Sequence, residues 1–375
     1  MRFYPNAYKN RLDLHDPTVI PLRRGFFKAA ATNFILLQVL FLGLFAYIFG
    51  SLFQEGPHTH NMKILYVDYD GGVIGAAVRS AYESLQGDSF PTLQEQSPSQ
   101  FATPDVMENL VCKAEYWAAL YTSPGASARL AAAITGGQAA ATYNRSDVLT
   151  FFWNEARYSA TVDSDIAANL QTLSSAARVV YVTENGTAAL QVLPPTDAAA
   201  ISAFTNPWQL SNINLQSTTQ GSRLIYNTLV IILILIQEFF YLGTINGLYL
   251  QFKIYARLYP HRIIAYRTCI SLAYTFVGSL CVAGSIWAFR AGWDVNANQF
   301  ALTWAILWLF AHCNFLALDI MTTWLPPQFV PMSLIAWVVL NVTSILGPLE
   351  LSAGFYRWGY ALPAHEVYQT LTDIV

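Results

Sequence analysis

Asp68 and Asp70 stand one residue apart after the apolar run Ile64-Leu65-Tyr66-Val67, and Gly71 and Gly72 follow at once. Two carboxylates at the end of a strand could serve as nucleophile and general acid around a Mg²⁺ ion, which is phosphoryl-transfer chemistry. Haloacid-dehalogenase-type phosphatases present their carboxylates in this way. Such a site also needs a Ser or Thr on a second strand, a lysine to neutralise the phosphoaspartate, and a further acidic pair for the metal. The segment 54–223 has only two lysines, Lys63 and Lys113, and Lys63 begins the strand that carries the aspartates. Gly87-Asp88 has no second acid at the required spacing. The residues therefore point to an acidic turn. Asp68 and Asp70 should accept backbone N–H groups, with Gly71 and Gly72 supplying positive φ. No catalytic residue and no enzymatic activity is expected.

A second place for chemistry is Glu238, beside Gln237 in the apolar stretch "LILIQEFFYLG". A carboxylate at the centre of a bilayer costs about 2.5–3.5 kcal/mol on insertion scales, so it should face other helices or a wet cavity. It reads either as part of a proton or substrate path or as a hydrogen-bonded group that locks helices together. His312, near Asn314 in a later apolar stretch, is a candidate partner. Asp319 should reach the interface and serve structure. No metal constellation is visible; His58 and His60 are the one close histidine pair. No phosphate-binding Gly-x4-Gly-Lys-Ser/Thr loop occurs, and no cofactor is expected.

These groups must be positioned by a membrane protein. Apolar residues make up 54% of 375 residues and charged residues 11%, less than half the share usual for soluble domains. Five uncharged or nearly uncharged stretches are each long enough to span: 33–53, 224–251, 268–289, 295–318, and a fifth that prolines confine to 329–346. The expected fold class is an α-helical multi-pass membrane protein with an exterior α/β domain inserted between its first and second spans. Its parts are a basic cytosolic tail (1–28), a first helix (29–53), the exterior domain (54–223), a membrane domain with four further helices (224–351), and an exterior or interfacial C-terminal segment (352–375).

Orientation follows from Lys and Arg. The head carries six basic residues against Asp13 and Asp16, and the connection after the second span carries Lys253, Arg257, Arg262 and Arg267 with no acid. Both should face the cytosol. Segment 54–223 then lies outside it, where Asn144-Arg-Ser and Asn185-Gly-Thr are glycosylation acceptors. Asn341-Val-Thr lies inside the fifth span and should stay bare. Only Cys112 falls in the exterior domain, so that domain has no internal disulfide and must hold by burial. A plasma-membrane address is expected. The net charge of −3 and the placement of the basic residues exclude a nucleic-acid partner. The bilayer is the first partner, a small-molecule or lipid substrate the second, and a homo-oligomer is allowed.

Within the exterior domain, 63–69 reads as a strand, 75–85 as a helix, Thr103-Pro104 as a helix start, 116–122 as a strand and 126–134 as a helix. Residues 139–143 read as a third strand. A long helical stretch should run over 147–181 with a break at 158–163, and 207–220 as a polar lead into the second span. This βαβα order argues a layered α/β domain.

The layout resembles type-2 ABC exporter membrane domains and bacterial phage-infection proteins, as "AEYWAALYTSPGASARLAAAI" illustrates. The stretches "NMKILYVDYDGGVIGAAVRSAY", "LTFFWNEARY", "NPWQLSNINLQSTTQGSRLIYNTL" and "FYRWGYALPAHEVYQTLTDI" are similar to a fungal membrane family known from nitrosoguanidine resistance and built on a domain of unknown function. That resemblance implies resistance to nitrosoguanidine-type compounds by export of small molecules or lipids, with any ATPase a separate partner. The alternative is a non-transporting scaffold or lipid-organising factor whose exterior domain binds a partner. It also implies a sixth span, missing or cut away after Val375.

Overall fold

The computed structural model describes residues 16–218, 226–290 and 293–374. The head residues Arg2, Lys9 and Arg11 and the last part of the polar lead, with Arg223, lie outside the described residues. The chain enters through α1 (Val19–Ser51), 33 residues with no charge after Lys28. Such a helix is ~50 Å long, more than the ~30 Å of a bilayer core. Phe34, Phe45 and Phe49 are exposed along it, an apolar surface suited to lipid tails.

The sheet domain runs β1 (Lys63–Asp68), α2 (Val73–Leu85), β2 (Thr92–Gln96), α3 (Pro104–Cys112), β3 (Ala118–Thr122), α4 (Ala126–Ile134), α5 (Gln138–Ala141), β4 (Leu149–Trp153), α6 (Ser159–Thr161), α7 (Ala168–Val192), α8 (Ala198–Thr205) and β5 (Leu210–Asn214). Strand order is β2-β1-β3-β4-β5, with β3 and β4 antiparallel and every other pair parallel. Alternate residues of β1 point to opposite faces. Ile64 and Tyr66 join a core with Ile74 and Val78 of α2 and Leu170 of α7. Leu65 and Val67 meet Met107 and Val111 of α3. Covering both faces turns the strand into a continuous apolar run.

The sheet domain departs from the sequence expectations at three places. Residues 139–143 form no strand, because the Ala-rich run there folds as α5, in keeping with alanine's helix preference. The strand lies further on, at Leu149–Trp153, inside the stretch expected to be helical. Thr150, Phe151, Phe152 and Trp153 suit a pleated surface, and pairing buries all five residues. The expected break is present: Tyr158 sits at φ 53 and a π-helical turn, Val162–Ala167, leads into α7. Finally, β5 occupies part of the expected polar lead and β2 an unassigned stretch. Both are edge strands, and "TLQEQ" and "LSNIN" carry little apolar signal.

The membrane part continues with α9 (Tyr226–Gln251), the single turn α10 (Ile254–Arg257), α11 (Pro260–Ala288) and α12 (Ala297–Trp324). With α1, helices α9, α11 and α12 are the four among the described residues long and apolar enough to cross a membrane. The protein is thus a mostly helical, multi-pass membrane protein carrying a small sheet. The expected fifth span is shorter than a bilayer: α13 (Val330–Thr343) has 14 residues, or ~21 Å. Pro326, Pro327 and Pro331 crowd its start, and the chain turns after Thr343 toward Pro348. A 3₁₀ segment, Gly354–Ala361, then leads into α14 (Pro363–Ile374), which packs on α12 and α9.

Candidate functional site

Every carboxylate oxygen of the acidic turn is engaged. Asp68 Oδ1 accepts the N–H groups of Asp70 and Gly71, both at 3.1 Å. Its Oδ2 takes Arg79 Nη2 at 2.7 Å, and Arg79 Nε reaches Glu95 at 2.9 Å. The hydrogen bond to Glu95 holds the Arg79 guanidinium above its ordinary pKa. Asp70 leaves the turn: it accepts Ser127 N at 3.1 Å and the Ser127 hydroxyl, tying β1 to α4. Gly71 has φ +62, but Gly72 has φ −106. Gly72 serves instead by taking little room, since a Cβ there would press on Ser127 and Asp70. His58 and His60 each face a carbonyl through Nδ1, of Gln54 and Pro57 respectively.

In the membrane part the three expected residues separate. Glu238 is 1% exposed on α9, and neither of its carboxylate oxygens has a hydrogen-bond partner among the described residues. His312 does not supply one. Its Nδ1 is also unpartnered, and its ring lies flat beside Phe315 with centroids 6.4 Å apart. The reason is angular: Glu238 lies on the buried face of α9, whereas His312 sits one step off the buried face of α12 that carries Ala311, Asn314 and Phe315. Asn314 turns to α13 instead and accepts Trp337 Nε1 at 2.9 Å. Gln237 faces α11, where Gly278 leaves it room; a Cβ on Gly278 would collide with its amide. Gln237 also lines a cavity of about 390 Å³ with Tyr226, Leu233, Cys281 and Trp293.

A larger cavity, about 900 Å³, opens where α9, α11, α12 and α13 meet. Asp319 forms its polar floor by bonding Arg267 through both oxygens, Nε at 2.9 and 3.0 Å. Arg267 also reaches Asn246 at 2.8 Å and Tyr255 at 3.3 Å. Asp319 is therefore a structural ion-pair partner, but the cavity above the pair was not anticipated. The available signal was Gly243-x3-Gly247 on α9, a small-residue spacing that brings membrane helices together.

The sheet domain and the helices are fastened by the stretch after β4. Arg157 is buried beneath the ring of Trp117, its guanidinium carbon 4.0 Å from the centroid, and burial pulls its pKa down. Burial pushes the Tyr158 phenol up and that of Tyr368 on α14 up to about 12. Asn227 at the start of α9 donates to Ala156 O at 3.1 Å and to Thr372 Oγ1 at 3.2 Å. Of the two acceptors for sugar, Asn144 is exposed in a turn with Oδ1 accepting Ser146 N at 3.0 Å. Asn185 lies within α7, half-buried, its amide donating to Tyr181 O at 3.3 Å.

An endoplasmic reticulum membrane protein of Saccharomyces cerevisiae, itself uncharacterized, is 21% identical over 383 residues, covering 92% of this chain and 73% of the yeast protein. No solved structure matches the chain significantly. The family described as "Protein of unknown function (DUF3533)" matches residues 33–375. The chain belongs to that family of membrane proteins.

Proposed function

We propose that the protein moves small amphipathic or lipid-like molecules through its helical bundle, with residues 54–223 held across the bilayer from the basic head. Resistance to nitrosoguanidine-type compounds by export, implied by the quoted sequence stretches, belongs to this reading, and so does the exporter-like architecture. The observation that carries it is Glu238: a carboxyl group enclosed by helices, with neither oxygen partnered among the described residues. A buried polar group without a partner costs free energy, and a mid-span carboxyl marks ion or substrate paths more often than lipid-facing surface. Gln237, which lines the neighbouring 390 Å³ cavity against α11, is proposed to belong to that path, with His312 set off to one side of it. No catalytic role is proposed for Asp68 or Asp70, since their oxygens are fully used. The yeast relative's name makes an endoplasmic reticulum location part of the proposal in place of the plasma membrane.

The test is reconstitution of the full chain in vesicles, with movement of a fluorescent lipid followed with and without a proton gradient. The wild type is expected to move it and Glu238→Gln to lose this while remaining folded. A wild type inactive under both conditions would overturn the reading. A second reading, a non-transporting scaffold whose sheet domain binds a partner, is favoured by the buried fastening around Arg157 and Tyr158. It makes Glu238→Gln silent in cells and loss of the sheet domain decisive.

A further inference from the structure

Three features of the 900 Å³ cavity bear on what could occupy it, since the described residues leave it open. Its α9 wall carries Gly243 and Gly247, and a Cβ added to either would meet nothing within 4 Å. In membrane helices such a spacing normally receives a neighbouring backbone; here the space is left open. The wall continues as Phe240, Leu250, Ile264 and Leu334, side chains that offer water no partners and acyl chains a matching surface. The volume lies near the upper end of the roughly 300–1,000 Å³ typical of ligand sites.

The charge around it selects what else the occupant carries. On the floor Asp319 is balanced by Arg267, with Asn246 and Tyr255 completing the network, so no free acid repels an anion. Beside the cavity, Lys253, Arg257 and Arg262 are exposed, and among the described residues none of them forms an ion pair. They flank Tyr255 and Ile263, which both line the cavity. Residues 239–293 contain no Asp or Glu at all. An apolar groove ending at an uncompensated basic rim fits one class of molecule in a bilayer.

We infer that this cavity binds a phospholipid with an anionic headgroup, its acyl chains along Gly243 and Gly247 and its phosphate at the Lys253–Arg257–Arg262 rim. This deepens the transport reading and rests on it for the claim that the lipid is moved cargo; binding stands separately. In the proposed topology the rim faces the cytosolic leaflet, where anionic lipids attract basic segments.

The experiment uses the full chain in phosphatidylcholine vesicles doped with photoactivatable phosphatidylserine or photoactivatable phosphatidylcholine, with cross-linked peptides mapped. The wild type is expected to take the serine probe on α9 and α13 at least about fivefold more than the choline probe. Gly247→Leu, whose Cβ meets nothing within 4 Å and whose side chain takes up room in the groove, should lose most of that labelling. The surface variant Lys253→Ala/Arg257→Ala/Arg262→Ala should keep labelling but lose the preference. Equal labelling by both probes in the wild type overturns the inference, as does undiminished labelling of Gly247→Leu. If Gly247→Leu does not fold, the surface variant decides, and an unchanged preference there overturns the proposal. Lipid movement measured on the same vesicles separates the two claims. Movement without labelling of the groove sinks this inference alone, and labelling without movement sinks the transport reading alone.

Discussion

The ring of Tyr158 lies on the ring of Tyr368, centroids 4.5 Å apart and planes 23° from parallel, and the Tyr158 N–H donates to the Tyr368 hydroxyl at 2.9 Å. The two residues are 210 positions apart, so this contact joins the sheet domain to the last helix. Removing the ring with Tyr368→Ala should cost about 3–5 kcal/mol. Tyr368→Phe keeps the stack but loses the hydroxyl's two hydrogen bonds, from Tyr158 N–H and to Ala156 O at 3.5 Å, and strands the buried N–H, about 1–3 kcal/mol. Thermal unfolding in detergent should rank wild type above Phe above Ala. An Ala variant as stable as the wild type would show that the junction bears no load.

Gly75, in the first turn of α2, lies against the Asp68 carboxylate, with which an added Cβ would overlap. In most helices Gly→Ala gains roughly 0.5–1 kcal/mol. Here Gly75→Ala should instead destabilise by about 1–3 kcal/mol, the usual cost of overpacking, because Asp68 must move off two N–H groups and Arg79. Denaturant unfolding of the variant checks the sign.

Glu55 and Asp165 are both half-buried, and burial raises both carboxyl pKa values, with the charge of Asp165 adding to the shift at Glu55. A folded-state carboxyl pKa above the unfolded one means that the folded state binds the proton more readily. The corresponding stability is present below the ordinary values of 4.5 and 3.8 and is lost as pH rises through the raised ones. Asp165→Asn should therefore raise the melting temperature at neutral pH and have no such effect near pH 3. A variant that melts lower than the wild type at neutral pH would contradict the sign.

Asn144 and Asn185 should behave differently in a glycosylating host. Asn144 is exposed in a turn, whereas the Asn185 amide is held within a helix. Asn144→Gln is expected to abolish an endoglycosidase-sensitive mobility shift and Asn185→Gln to leave it unchanged. Absence of any shift in the wild type would argue against the proposed placement of residues 54–223.

Features with a local cause could be read from the chain. The apolar runs that became α1, α9, α11 and α12 are long enough to cross a bilayer on composition alone. Thr103-Pro104 opens a helix, and Asp68 accepts the N–H groups of its own turn, because such bonds form between near neighbours. Features with a distant cause could not be read. The five residues of β4 look helical until β3 lies beside them, and β2 and β5 are polar because they are edges. Among the described residues the candidate pairing of Glu238 with His312 forms no hydrogen bond, since helix rotation, set by packing, leaves His312 one step off the buried face of α12.

By itself, then, the sequence determined that this is a membrane protein with a sizeable segment between its first two spans, and that the head and the connection after the second span are basic. Hydrophobic length and charge are additive along the chain and need no partner. Tertiary structure alone decided that Tyr158 meets Tyr368, that Asp319 is paired with Arg267, and that Gly243 and Gly247 border a cavity instead of a helix. Each of these depends on surfaces brought together from remote parts of the chain, where fit and the pairing of buried polar groups set the outcome.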